Sequence, residues 1–96
     1  MRIIGGIAKG KNLFSPPEAT RPTSDRAREG LFSSLESEFG SMTELNFLDL
    51  YSGSGAVGVE ALSRGASKVV SVERHQPTAL IGEKNFELVK IGRAHV

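Results

Sequence analysis

Two short apolar runs organise the chain: Phe47-Leu-Asp-Leu-Tyr51 and Val69-Val-Ser-Val72, each bounded by polar or glycine-rich segments. Nearly continuous apolar runs of this length between breakers predict buried parallel strands. The segment from about Ala56 to Arg64 predicts a helix between them, with Gly65 placed as its left-handed stop. Upstream, Ala27, Leu31 and Leu35, joined by Phe32 and Phe39, recur at helical spacing and predict an amphipathic helix ending near Phe39, with these positions as its core stripe. Thr23 or Ser24 can cap that helix, and Asp25 suits its first turn. Pro77 fits the first turn of a last helix reaching about Lys90. At the other end, Arg2-Ile-Ile-Gly-Gly and Lys11-Asn-Leu-Phe flank a Gly/Lys-rich turn and predict a β-hairpin. Ser15-Pro-Pro-Glu-Ala-Thr-Arg-Pro22 predicts a proline-stiffened linker. The expected organisation is α/β: a hairpin, linker and helix extension over 1–40, then a strand–helix–strand–helix unit over 41–90.

The connection after the first strand carries the chemistry. Gly53, Gly55 and Gly58 have the spacing of a dinucleotide fingerprint: a tight turn, a close backbone approach to a ligand, and close packing of helix on strand. Glu73 follows Gly53 by 20 positions, where an acid ending the second strand can accept both hydroxyls of a ribose. Loop, strands, helix and placed acid together point to a Rossmann-like site for a nucleoside-containing cofactor. NAD would set its pyrophosphate on the helix N-terminus. S-adenosylmethionine carries instead a sulfonium and an amino group, both cationic. Asp49, near the mouth of the loop, suits the cationic ligand and would repel a pyrophosphate.

These residues sit in a wider pattern. Met1-Arg-Ile-Ile-Gly-Gly6, Ala8-Lys-Gly10, Thr20-Arg-Pro-Thr-Ser-Asp-Arg26, Arg28-Glu29 and Leu31-Phe32, all ahead of the Phe47–Gly58 loop, resemble the RsmD-type methyltransferases from Met1 to about Lys90. The Arg21–Arg26 segment is the most specific part, because a generic Rossmann unit has nothing like it. The resemblance implies an enzyme that transfers a methyl group from S-adenosylmethionine to guanine N2 in 16S ribosomal RNA, free or in a small-subunit assembly intermediate. It implies a Rossmann-like methyltransferase fold of which this chain is the N-terminal part. By analogy, Asp49, Gly53 and Gly55 would line the methionine end of the cofactor, Thr23 would lie near it, Ser52 would belong to the same cofactor site, and Glu73 would hold the ribose. Direct transfer would follow, with the target base unstacked into the pocket and the acceleration owed largely to positioning.

One departure stands out. The family's catalytic motif, Asp or Asn followed by Pro-Pro and an aromatic residue, closes a fourth strand, whereas the only Pro-Pro here is Pro16-Pro17 between Ser15 and Glu18. No catalytic residue is therefore assigned, and the motif is expected beyond residue 90. The ending Lys90-Ile-Gly-Arg-Ala-His-Val96 can be encoded by AAG-ATC-GGA-AGA-GCA-CAC-GTC, which contains a common short-read sequencing adapter. Residues 91–96 are accordingly expected to be adapter read-through, with the frame continuing past Lys90. By itself the 96-residue chain is expected to be inactive and marginal or aggregation-prone.

Charge adds a possible partner. The totals of 12 basic and 11 acidic residues hide a net +3 over 1–30 and −2 over 31–96. Arg2, Lys9, Lys11 and Arg21 could contact RNA phosphates, or could simply form a solvated face; the resemblance favours RNA. The chain has no cysteine, which excludes a disulfide framework, thiolate metal site or cysteine nucleophile. No metal site, long apolar run or signal-peptide core is visible, so a cytoplasmic monomer is expected. Asp25 and Glu29, flanked by Arg26 and Arg28, are read as surface ion pairs, and His75 as an exposed turn residue. Arg74 and Tyr51 are compatible with either cofactor contact or ordinary packing. Two other functions remain in view: an NAD-type oxidoreductase fragment, on the glycine spacing, and a non-catalytic RNA-binding remnant, on the basic N-terminus and missing acceptor half.

Overall fold

The structure is a computed structural model and describes residues 1–15, 24–50 and 52–89. The linker over 16–23 with Arg21 and Thr23, Tyr51, and the tail from Lys90 lie outside those residues. Five elements follow in chain order: α1 (Asp25–Phe39), β1 (Asn46–Leu50), α2 (Ala56–Ser63), β2 (Lys68–Val72) and α3 (Gln76–Leu88).

The strands pair in parallel, from Asn46 opposite Lys68 to Leu50 opposite Val72. Their side chains alternate between a covered and an open face. Phe47 and Val69 turn inward; Phe47 packs on the buried Phe32 of α1 with ring centroids 5.8 Å apart. Leu48, Leu50 and Val72 remain 66%, 58% and 47% exposed. The expectation of buried strands therefore holds for one face only. Parallel sheets are normally covered on both faces, and the described chain supplies helices for one.

Helix α2 is buried along nearly its whole length. It reaches the sheet because position 58 has no side chain: a Cβ there would lie 2.8 Å from both Ser71 Oγ and Val69 Cγ1. This is the packing role that the third glycine of the loop predicts. Helix α1 starts as expected, with Ser24 Oγ accepting the Ala27 N–H at 3.0 Å. Its buried face differs from the predicted stripe. Phe32 and Arg28 are fully buried and Leu35 partly so, while Ala27, Leu31 and Phe39 are exposed.

Arg28 accounts for that rotation, and it is not the surface residue that charge pairing suggests. Its guanidinium donates to Asp25 Oδ1 at 2.7 Å and to the Arg2 carbonyl, and its Nε lies 3.7 Å from Glu60 Oε1. Glu60, also fully buried, accepts Arg64 Nε at 2.8 Å; Arg64 in turn reaches Glu36 and lies over the Phe32 ring. Buried charges survive only when paired and hydrogen-bonded in this way. The face of α1 that points inward is thus selected by an ion network invisible to hydrophobic periodicity.

The predicted N-terminal hairpin is present in short form: an antiparallel bridge joins Arg2 and Asn12, and the N–H groups of Leu13, Ile3 and Gly10 donate to the Met1, Lys11 and Ile3 carbonyls at 2.8, 2.9 and 2.8 Å. Further backbone donors of the same segment reach α2. The N–H groups of Ile4 and Gly5 donate to the Glu60 carboxylate at 3.0 and 2.9 Å, Ile7 N–H to the Ser63 carbonyl, and Ala8 N–H to Ser63 Oγ. Gly6 makes the approach possible: its φ is +82°, and a Cβ would lie 1.9 Å from the Ser63 carbonyl oxygen. Residues 1–15 thus form a short hairpin arm docked along α2. Among the described residues no helix is long and apolar enough to cross a membrane.

Candidate functional site

A cleft of about 230 Å³ opens where the strands end, lined by Ser52, Gly53, Gly55, Ser71, Glu73, Ala79, Gly82, Glu83 and Phe86. The loop after β1 forms one wall. Gly53 and Gly55 both take positive φ, +58° and +79°, a conformation that costs glycine little and other residues more. A Cβ at Gly53 would meet nothing within 4 Å, so the backbone there is bare toward open space. At Gly55 a Cβ would come 3.1 Å from the Phe86 ring.

Glu73 closes the loop onto β2. Its Oε1 accepts the Gly53 N–H at 2.8 Å and its Oε2 the His75 N–H at 2.9 Å. Those two backbone donors, His75 first and then Gly53, hold its carboxyl below the ordinary glutamate range. The carboxylate is thereby fixed in orientation, and each oxygen keeps a lone pair for a further donor. His75 is exposed, as expected, and its Nδ1 lies 2.7 Å from the buried Thr78 Oγ1 in the first turn of α3. Ser71 Oγ is shielded from solvent at the cleft wall and has no hydrogen-bond partner among the described residues. Such an orphaned hydroxyl is expensive unless a ligand or water completes it.

Of the sequence-derived cofactor residues, Ser52, Gly53, Gly55 and Glu73 come together around this cleft. Asp49 does not line it; the carboxyl sits mid-strand, in register with Ser71, and burial pushes its pKa up. No described residue donates a hydrogen bond to it. Thr23 lies outside the described residues. Sequence reasoning missed the other wall: Ala79, Gly82, Glu83 and Phe86 lie at i, i+3, i+4 and i+7 of α3, a helical spacing that could have marked them had a ligand-facing stripe been sought there. It also missed Asn85, fully buried, whose Nδ2 donates to the Ser54 carbonyl at 2.8 Å. Among the described residues no group of three or more acids, histidines or cysteines could hold a metal ion.

The basic positions behave differently from one another. Arg2 and Lys9 are exposed and border a second depression with Ile3, Ile4, Gly10 and Glu29. Lys11 is exposed but engaged: its Nζ donates to the Leu88 carbonyl at 3.0 Å, at the C-terminal end of α3. A cation is favoured there by the helix dipole. Arg21 lies outside the described residues.

Known proteins resemble this chain in sequence and in fold. The family described as conserved hypothetical protein 95 matches residues 1–96. Ribosomal RNA small subunit methyltransferase D of Escherichia coli (strain K12) is 39% identical over 97 residues, an alignment covering all of this chain and 48% of that protein. Among solved structures, a hypothetical protein of Thermus thermophilus superposes with a TM-score of 0.85 at 35% identity, covering 100% of this chain and 54% of the other. Escherichia coli yhhF, described as a candidate methyltransferase, gives 0.80 at 35% identity, covering 100% and 51%. The chain spans about half the length of the curated relatives it matches. With its α/β fold shared with these structures, and the match running from Met1 to Val96, the chain belongs to the RsmD family of ribosomal RNA methyltransferases.

Proposed function

We propose that this chain is the cofactor-binding part of an S-adenosylmethionine-dependent methyltransferase that modifies guanine N2 in 16S ribosomal RNA. The observation that carries the reading is the Glu73 carboxylate, oriented by the Gly53 and His75 N–H groups at the rim of a glycine-walled cleft. S-adenosylmethionine would supply an electrophilic methyl group on its sulfonium. The residues present fit such a ligand. Glu73 can accept the ribose hydroxyls through its free lone pairs. The bare backbone at Gly53 permits close approach, and the unpartnered Ser71 Oγ offers one more polar contact. Ser52 and Gly55 complete the loop wall, and Thr23 would lie near the methionine end. Asp49 would act from beneath the loop as an electrostatic partner of the cationic end, not as a lining residue.

The RNA would meet the arm. Arg2 and Lys9 are exposed and would contact phosphates, Arg21 would join them by the resemblance, and Lys11, whose ammonium also donates to the Leu88 carbonyl, would contribute less. The partner would be 16S RNA or a small-subunit assembly intermediate, met in the cytoplasm by a monomer. As the resemblance implies, the catalytic motif would lie beyond residue 90, and the 96-residue chain by itself would bind and not turn over. The oxidoreductase alternative loses ground because the relatives are named as methyltransferases.

Long-read sequencing across codon 90, followed by assay of the complete protein, tests the proposal. Methyl transfer from labelled S-adenosylmethionine to small-subunit RNA, recovered as N2-methylguanine, is the expected result. A complete protein that binds NAD and not S-adenosylhomocysteine overturns the cofactor assignment; one that methylates another base overturns the target.

A further inference from the structure

We infer that Asn85 is a positioning residue that ties the N-terminal arm to the cofactor loop, so that loss of arm docking and loss of loop order are a single event. Its side chain makes three hydrogen bonds in two directions. Oδ1 accepts the Phe14 N–H at 2.7 Å, and Nδ2 donates both to the Phe14 carbonyl at 3.0 Å and to the Ser54 carbonyl at 2.8 Å. Phe14 is part of the arm and Ser54 lies between Gly53 and Gly55. A single fully buried amide therefore joins segments 40 positions apart.

The surroundings leave the amide no alternative. Gly82, one turn earlier on α3, stands 3.6 Å (measured from an added Cβ) from the Gly53 and Ser54 backbone, and the Phe86 ring covers Gly55 and Gly58. Helix α3 lies within van der Waals reach of the loop at that turn. Removing the amide strands the buried partner of its Ser54 bond and takes away the part-buried bonds to Phe14, and a buried group left unsatisfied costs more than the bond itself contributes. The arm also carries Arg2 and Lys9. Under the cofactor reading proposed above, on which the functional consequence rests, anything that pulls on the arm is felt at the loop through Asn85.

Amide hydrogen exchange on the complete protein tests the linkage without a ligand. In Asn85→Ala, exchange should rise about tenfold or more both at Phe14 and at Gly55, whose N–H donates to the Ser52 carbonyl, the equivalent of losing at least one net hydrogen bond. Val59, within α2, should keep its protection. Asn85→Asp is the second variant, should alanine expose Val59 as well. It retains an acceptor for the Phe14 N–H and loses the donors, so coupling predicts faster exchange at both places again. Loosening of Phe14 with an unchanged Gly55, or the reverse, in either folded variant overturns the inference. Titration with S-adenosylhomocysteine separates this from the cofactor assignment. A wild type that binds nothing sinks that assignment, while the exchange data still decide the linkage. A wild type that binds, with at least tenfold weaker binding in the variant, supports both.

Discussion

Gly53 and Glu73 are joined by a 2.8 Å hydrogen bond from a loop N–H to a carboxylate oxygen across the ends of the two parallel strands. The bond makes Glu73 a structural strut as well as a candidate ligand group. The two roles titrate together. Donors to the charged form lower the folded-state pKa, so the fold gains from this carboxylate above its ordinary value of 4.5 and loses that gain as pH falls through the lowered folded value. In an NMR titration the Gly53 and His75 amide resonances should move together, with a shared midpoint below 4.5. Glu73→Gln should abolish that transition. In the complete protein it should also weaken S-adenosylhomocysteine binding by roughly tenfold to a hundredfold, the span expected for bonds to a charged acceptor.

Asp49 has the opposite character. Burial pushes its pKa up, and no described residue donates to it, so its ionised form is a cost to the fold at neutral pH. Unrelieved costs of this kind are typical of binding sites. Asp49→Asn should raise the thermal midpoint of the ligand-free complete protein while lowering its affinity for the sulfonium cofactor. A variant that loses midpoint and affinity together would show Asp49 to be an ordinary structural carboxylate.

Glu60 gathers Arg28, Arg64 and the N–H groups of Ile4 and Gly5 around one buried carboxylate. Glu60→Ala removes the carboxylate beside the fully buried Arg28 and the acceptor of the Ile4 and Gly5 N–H groups, while the Ser63 bonds to the arm remain. Breaking a buried pair from one side costs about 3–5 kcal/mol. Denaturant unfolding of the complete protein should show a loss of that size, and Glu60→Gln, which keeps an acceptor for the arm, a smaller one.

Much of this architecture is readable in the sequence where the information is local. The glycine spacing, the Pro77 start, the Ser24 cap and both strands follow from neighbours within a few positions. Long-range polar contacts escape such reading. Leu31 and Phe39 look like core positions by spacing, yet the inward face of α1 is set by Arg28 meeting Glu60, 32 positions away. The hairpin pattern around Gly6 and Gly10 is borne out by the Ile3–Lys11 and Leu13–Met1 backbone bonds, but its docking on α2 through Glu60 and Ser63 is not readable from that pattern. Lys11 reads as a phosphate ligand by charge, and its contact with the Leu88 carbonyl at the end of α3 is a separate feature that charge does not reveal. At the site, Ser52, Gly53, Gly55 and Glu73 share a motif and could be named together. Ser71, Gly82, Asn85 and Phe86 reach the same loop only through folding.

The open sheet face supplies the last prediction. Leu48, Leu50 and Val72 form an apolar surface on a strand pair whose type is normally covered on both sides, and the chain spans 48% of its Escherichia coli relative. Expressed as residues 1–96, the chain should self-associate through that face, because contiguous exposed apolar surface beside unpaired strand edges drives aggregation. Leu48→Lys combined with Leu50→Lys should raise the monomeric fraction of the 96-residue chain in sedimentation velocity. In the complete protein the same pair should be destabilising by several kcal/mol, since each lysine would replace a side chain worth about 1.5–3 kcal/mol on burial and add a charge to desolvate. If the double variant leaves the complete protein's stability unchanged, the face is open there too, and the remainder of the polypeptide packs elsewhere.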